Sequence, residues 1–284
     1  MICTTLIDPQ ALGREFASPA WALFDCRFDL ADKARGEMDY RAGHIPGARF
    51  AHLERDLSGP VTQASGRHPL PDPVSLCRWL GAQGVGPETQ VVAYDDSAGS
   101  MAVRLWWLLR WLGHRAVAVL DGGWQAWRNA GLAETTAIRP PAETRPYPGR
   151  PNPSMLVTTD QLLADLDSDR WLLLDARTGE RFRGEQEPID PVAGHIPGAR
   201  SLPLQANLDA DGRFLAPERL RQIYGEKLGD HPPSETACLC GSGVTACHDL
   251  LAMEIAGLGG ARLYAGSWSE WIRDPARPIA LGPE

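Results

Sequence analysis

The stretch AGHIPGAR occupies residues 42–49 and recurs unchanged at residues 193–200, 151 positions later. Three further pairs keep the same order along the chain. WALFDCR (21–27) matches WLLLDAR (171–177), QVVAYD (90–95) matches ETACLC (235–240), and LDGGWQAW (120–127) matches YAGSWSEW (264–271). One short identity can arise by chance in a biased sequence, but four collinear matches at offsets of 144–151 cannot. Between the copies, residues 139–153 (RPPAETRPYPGRPNP) carry six prolines. Such a segment resists helix and sheet and predicts a semi-rigid extended linker. The expected organisation is one fold used twice: a domain at 1–136, a Pro-rich linker at 137–154 and a second domain at 155–284.

Within each copy the pattern alternates between strand and helix. Residues 171–174 and 237–239 are short apolar runs that each end at a polar residue, as buried parallel strands do. From Gly243 onward, Val244, Leu250, Leu251 and Ile255 follow helical spacing, and Gly257 and Gly259 supply a stop. The counterpart at 101–112 (MAVRLWWLLRWL) predicts a partly buried helix, its tryptophans packing between domains rather than forming a binding platform. This alternation implies an α/β fold, each domain a parallel sheet flanked by helices. Reactive groups in such sheets sit where strands end and helices begin.

Composition narrows the function classes. At 284 residues the chain favours two domains, and 43% apolar with 23% charged residues describes an ordinary globular protein. No run approaches the ~20 apolar residues that span a bilayer, and the start, MICTTLIDPQ, lacks the pattern of a secretory signal. The net charge of −8 argues against nucleic acid as a partner, but a small anionic substrate needs only a locally positive pocket. Six cysteines in a chain of this length predict free thiols in a reducing, cytoplasmic setting rather than a disulfide framework.

Of these cysteines, Cys240 ends a predicted strand and opens the connection Cys240-Gly241-Ser242-Gly243-Val244-Thr245. Two glycines permit a turn that points successive N–H groups at the thiol, and the following helix aims its positive end there. Both effects favour a thiolate, a persulfide or a bound anion, so the thiol pKa is expected to be depressed. A buried cysteine that merely packs would stay apolar in both copies, yet the first copy carries Asp95 at this position. One working site and one decayed site explain that asymmetry. Other readings of the loop fail on their own terms. A cysteine phosphatase needs arginine where Ala246 stands. The spacing of Cys238, Cys240, Cys247 and His248 matches no usual zinc pattern, and no Gly-Lys-Ser/Thr follows for a nucleotide loop.

CGSGVTA at 240–246, the two HIPGA segments, DAR…ERF at 175–182 and the closing GSWSEW together resemble the two-domain rhodanese-type sulfurtransferases. This family includes thiosulfate and 3-mercaptopyruvate sulfurtransferases, and the resemblance runs along essentially the whole chain. It implies two tandem rhodanese-like domains, the second catalytic, with sulfur carried as a persulfide on Cys240 and no metal or organic cofactor. The donor would be a small anionic sulfur compound, and the acceptor cyanide, a small thiol or a protein dithiol. A non-catalytic sulfur carrier loaded by a partner protein is the alternative.

Carried over by position, Gly241, Gly243, Val244 and Thr245 would supply loop amides. Arg181 would grip the donor's anionic group through two parallel hydrogen bonds. Arg177 either pairs locally with Asp175 or contacts substrate. His44 and His195, present in both copies, suit a structural role. Ser242 and His68 resemble a family serine–histidine pair contributed by the two domains, with Glu54 or Asp56 as acidic support; His68 as a plain loop residue is the other possibility. The neutral Gly-Ser after the cysteine resembles mercaptopyruvate-acting members. Against that, Asp190 stands where such members commonly carry a second arginine, unless Arg183 or an arginine from the first domain substitutes. The choice between thiosulfate and 3-mercaptopyruvate stays open at this level.

Overall fold

Local chemistry starts the helices where the sequence changes period. Asp8 accepts a hydrogen bond from the Ala11 N–H and Pro9 pre-sets the first turn of α1 (Pro9–Glu15), directly after β1 (Leu6–Ile7). The apolar run that follows forms β2 (Trp21–Asp25), then come α2 (Arg35–Ala42) and β3 (Arg49–Phe50). Asp72 and Pro73 repeat the capping device at α3 (Pro73–Ala82). β4 (Gln90–Tyr94), α4 (Ala102–Trp111), β5 (Val117–Leu120) and α5 (Gly123–Asn129) complete the first set. The second set opens with a reciprocal Thr158–Gln161 capping box on α6 (Thr159–Ala164). It continues with β6 (Leu172–Asp175), α7 (Gly179–Arg183), β7 (Ala199–Ser201), α8 (Pro217–Leu228), β8 (Thr236–Leu239), α9 (Ala246–Ile255), β9 (Arg262–Leu263) and α10 (Ser267–Trp271). This is a computed structural model that describes residues 2–140, 145–168 and 170–283.

Each set forms its own parallel sheet, ordered β1-β5-β4-β2-β3 in one and β7-β6-β8-β9 in the other. Leu156 makes a parallel bridge to Leu263 in β9, where β1 meets β5 in the first sheet, so the two topologies coincide. The repeated motifs fill equivalent places. Trp124 and Trp127 pack into the first core with Leu23, Val92 and Tyr94; Trp268 and Trp271 pack into the second with Leu173, Leu239 and Phe182. The expected partly buried helix at 101–112 is more enclosed than its sequence suggests. Trp106, Trp107 and Trp111 on α4 are only 2%, 1% and 5% exposed, and the Trp106 indole N–H donates to the Thr4 carbonyl.

The compact units do not follow a single cut. One comprises Met1–Gly59, Leu70–Asn152 and Ala210–Arg213; the other comprises Pro60–Pro69, Pro153–Asp209 and Phe214–Glu284. His68 therefore belongs to the same unit as the Cys240 loop. Residues 141–144 of the expected linker lie outside the described residues. Its later part is bound to the first unit: Tyr147, Arg150 and Asn152 donate backbone hydrogen bonds to Cys77, Leu112 and Trp111. Among the described residues no helix is long and apolar enough to cross a membrane.

Beneath the second sheet, α8 and α9 bury a polar cluster. Asn207 donates to the Asp249 carboxyl at 2.8 Å and accepts from the Tyr224 hydroxyl at 3.0 Å. Burial pushes the Asp249 carboxyl up to about 8, against the hydrogen bond it accepts from Asn207. The folded state thus holds a proton that the unfolded chain releases above its ordinary value of 3.8. Stability contributed by this proton is present at low pH and is lost as pH rises toward about 8. Asp249→Asn is expected to flatten that decline, and denaturant titrations of both proteins at pH 6 and pH 8 measure it.

Candidate active site

The Cys240 loop is held from behind by the start of α10. The Trp268 N–H donates to the Cys240 carbonyl at 3.0 Å, and the Ser269 N–H donates to the Gly241 carbonyl at 2.9 Å. The Cys240 N–H donates to Ser267 Oγ at 3.1 Å, and that hydroxyl donates to the Tyr264 carbonyl at 3.0 Å. Ser267 pays for this arrangement with a left-handed backbone, φ +53°, unusual for a residue with a side chain. Gly243 has φ +75°, and a Cβ there would lie 2.2 Å from the Ala265 carbonyl oxygen. This glycine is required both by conformation and by space.

The loop then curls so that the Gly243 N–H donates to Cys240 Sγ at 3.2 Å. Cys240 is 1% exposed. Val244 and Thr245 offer their carbonyls to the first turn of α9, receiving the N–H groups of Cys247 and His248.

The first unit shows what such a turn binds. Asp95 follows β4 as Cys240 follows β8, and its carboxylate accepts from the N–H groups of Ser97, Gly99, Met101 and Ala102 at 2.8–2.9 Å. The Trp124 N–H caps the Asp95 carbonyl as Trp268 caps Cys240. A side-chain anion thus fills the first cradle, in a loop one residue longer than its partner. In the second unit the corresponding space surrounds a sulfur atom.

Side chains complete the site. Ser242 Oγ and His68 Nδ1 are 2.7 Å apart and buried. Arg67, next to His68, is anchored by its N–H to Ser269 Oγ at 3.0 Å. The guanidinium groups of Arg67 and Arg181 flank the loop: a Cβ on Gly241 would lie 2.9 Å from Arg67 Nη2 and 3.5–3.6 Å from Arg181. Asp190 accepts from both, from Arg67 Nη1 and from Arg181 Nη2, the latter at 3.1 Å. Burial raises the Asp190 carboxyl above its ordinary value despite these two cations. Glu187 is also buried, yet hydrogen bonds from Arg181 and from the Asp190 and Ile189 N–H groups hold its carboxyl below the usual range.

Several expectations change here. Arg181 does not present a free fork, because its Nε–Nη2 edge already grips Glu187 at 2.7–3.1 Å. Arg177 is not placed to bind substrate. Its side chain is 1% exposed, its Nε–Nη2 edge is held by Asp175, Nη2 also reaches the Gly194 carbonyl, and Nη1 reaches Glu187. Arg27 makes the same bonds to Asp25 and the Gly43 carbonyl in the first unit, so this is a framework element of the fold. Asp190 turns its carboxylate to the site's arginines, so an arginine in its place would put three cations together. His44 and His195 bond the Tyr40 and Phe182 carbonyls through Nδ1, a matched structural role. Asp56 is held by the His52 N–H and Arg55, and Glu54 pairs with Lys33. Cys238 lies in β8, while Cys247 Sγ bonds the Gly243 carbonyl. Among the described residues no cluster of His, Cys, Asp and Glu is placed to hold a metal ion.

The rhodanese-like domain matches this chain twice, over residues 8–130 and 158–274. The chain belongs to the rhodanese family of two-domain sulfurtransferases. It is 51% identical to the Pseudomonas aeruginosa protein named "Probable 3-mercaptopyruvate sulfurtransferase", over 99% of this chain and 100% of that one. It is 36% identical to rat thiosulfate sulfurtransferase, over 90% of this chain and 86% of the relative. Among solved structures, the 3-mercaptopyruvate sulfurtransferase from Leishmania major superposes with a TM-score of 0.82 at 32% identity, covering 94% of this chain and 74% of that one. Within this rhodanese framework, Arg67, Glu187, Ser267 and Ser269 are site residues that the sequence does not single out. Their signals were an arginine beside His68 and two serines inside GSWSEW.

Two substitutions probe the turns. Gly243→Ala should cost at least about 2 kcal/mol, since a Cβ meets backbone and φ is positive. Asp95→Ala leaves four N–H groups without their acceptor and should cost about 3 kcal/mol or more. Urea unfolding of each variant measures the loss.

Proposed function

We propose that the chain is a ping-pong sulfurtransferase in which Cys240 is the nucleophile and 3-mercaptopyruvate the preferred donor. The thiolate attacks the donor's sulfur; the Sγ–S bond forms, the carbon–sulfur bond breaks, and its electron pair leaves on the enolate of pyruvate. The loop N–H groups of Ser242, Gly243 and Thr245 stabilise the persulfide, as the equivalent turn stabilises the Asp95 carboxylate. Arg181 Nη1 adds positive charge beside Gly241. The persulfide then passes its outer sulfur to cyanide, a small thiol or a protein dithiol, restoring the thiolate. Burial of Cys240 shields the persulfide between the two half-reactions. A reducing compartment such as the cytoplasm suits this chemistry, which requires Cys240 as a free thiol.

The observation that carries the donor choice is the buried hydrogen bond between His68 and Ser242 of the Cys240 loop. An enolate leaving group needs a proton, and this pair can deliver one through the serine hydroxyl. Sulfite, the leaving group from thiosulfate, is stable without protonation. The whole-chain relationship to named sulfurtransferases disfavours the carrier alternative, in which loading would require a partner protein.

Steady-state rates with purified protein test both parts. Turnover with small donors alone supports an enzyme, and Cys240→Ser should abolish it. His68→Asn should lower kcat/KM with 3-mercaptopyruvate by about 100-fold and with thiosulfate by less than about threefold. Equal losses with both donors would contradict the assigned proton-delivery role.

A further inference from the structure

We infer that Arg67 supplies the bidentate anion grip for the donor, and that Asp190 is the residue that positions it. This deepens the sulfurtransferase reading and rests on it. A guanidinium binds a carboxylate best through the parallel Nε–H and Nη2–H pair along one edge. Three arginines approach the Cys240 loop, and their edges differ. Arg177 spends that edge on Asp175, and Arg181 spends it on Glu187. Arg67 is tied to Asp190 through Nη1 instead. Its Nε is buried with no hydrogen-bond partner among the described residues, and its Nη2 faces Gly241.

A buried guanidinium donor without an acceptor is costly unless a ligand provides one. The Arg67 side chain is 26% exposed, against 1% for Arg177 and 14% for Arg181. It lines a pocket of about 290 Å³ together with Asp190 and Ser269. Its backbone is fixed by the Ser269 hydroxyl, on the same short helix whose N–H groups hold Cys240 and Gly241. One small element therefore sets both the sulfur and the anion grip. Asp190 then has a physical purpose: it engages Nη1 and leaves the Nε–Nη2 edge to the donor. The ligand class is a small monocarboxylate or sulfonate-like anion carrying a transferable sulfur.

The test is the kinetics of wild type, Arg67→Met and Arg67→Lys with 3-mercaptopyruvate and thiosulfate. Loss of the fork should raise KM for 3-mercaptopyruvate about tenfold or more in Arg67→Met, with kcat within about threefold of wild type. Arg67→Lys keeps the charge without the fork and should still raise KM about fivefold, so it serves if the methionine variant does not fold. Wild-type turnover with an unchanged KM in Arg67→Lys would overturn the Arg67 assignment while leaving the sulfurtransferase reading intact. Absence of wild-type turnover with either donor would overturn that reading itself.

Discussion

A parallel strand that ends in a tight turn before a helix gathers backbone N–H groups around one point, and that point must hold something that accepts them. In the first unit it holds the Asp95 carboxylate, bound by four N–H groups. In the second it holds the sulfur of Cys240, with the Gly243 N–H already directed at it. The rest of the second unit serves this turn. Gly243 fits against Ala265, Ser267 accepts strain to bond the Cys240 N–H, and Trp268 and Ser269 fix the carbonyls of Cys240 and Gly241. One architecture thus presents a carboxylate to its turn in the first unit and a thiol in the second, and the proposed sulfur chemistry belongs to the thiol.

Charge is arranged on a second level around that turn. Arg67 and Arg181 are matched by Glu187 and Asp190, so the site carries two cations and two anions rather than an open positive patch. Surrounding carboxylates hold the guanidiniums in place against burial, and the inferred donor grip uses the Arg67 edge that Asp190 does not occupy. Net charge over the whole chain has no bearing on this. A chain of −8 can still bind an anionic donor because the selection is made by a few donors in a confined space.

Much of this was legible in the sequence because repetition turns one chain into its own comparison. The duplicated motifs recovered the α/β architecture and the equivalence of Trp124 with Trp268. The contrast of Asp95 with Cys240 located the loop that differs between the copies. Local devices were equally readable, since the strand end, the glycines and the helix start lie within a few residues of one another. What sequence position did not reveal was which edge of each guanidinium is already taken. Arg181 looked available and Arg177 stood open between pairing with Asp175 and contacting substrate; the placement of Asp175 and Glu187 in three dimensions decides both. The unit membership of residues 60–69 is likewise a tertiary fact, settled by contacts such as Arg67 to Ser269 and Arg273 to the Ser65 carbonyl.

In the proposed cycle, sulfur rests on Cys240 between two half-reactions. Peptide-resolved mass spectrometry of the wild-type protein, after exposure to 3-mercaptopyruvate without an acceptor, tests it most directly. One added sulfur atom is expected, confined to the peptide that contains Cys240 and removed by cyanide. Sulfur found on Cys238, Cys247 or another cysteine, with Cys240 unmodified, would contradict it.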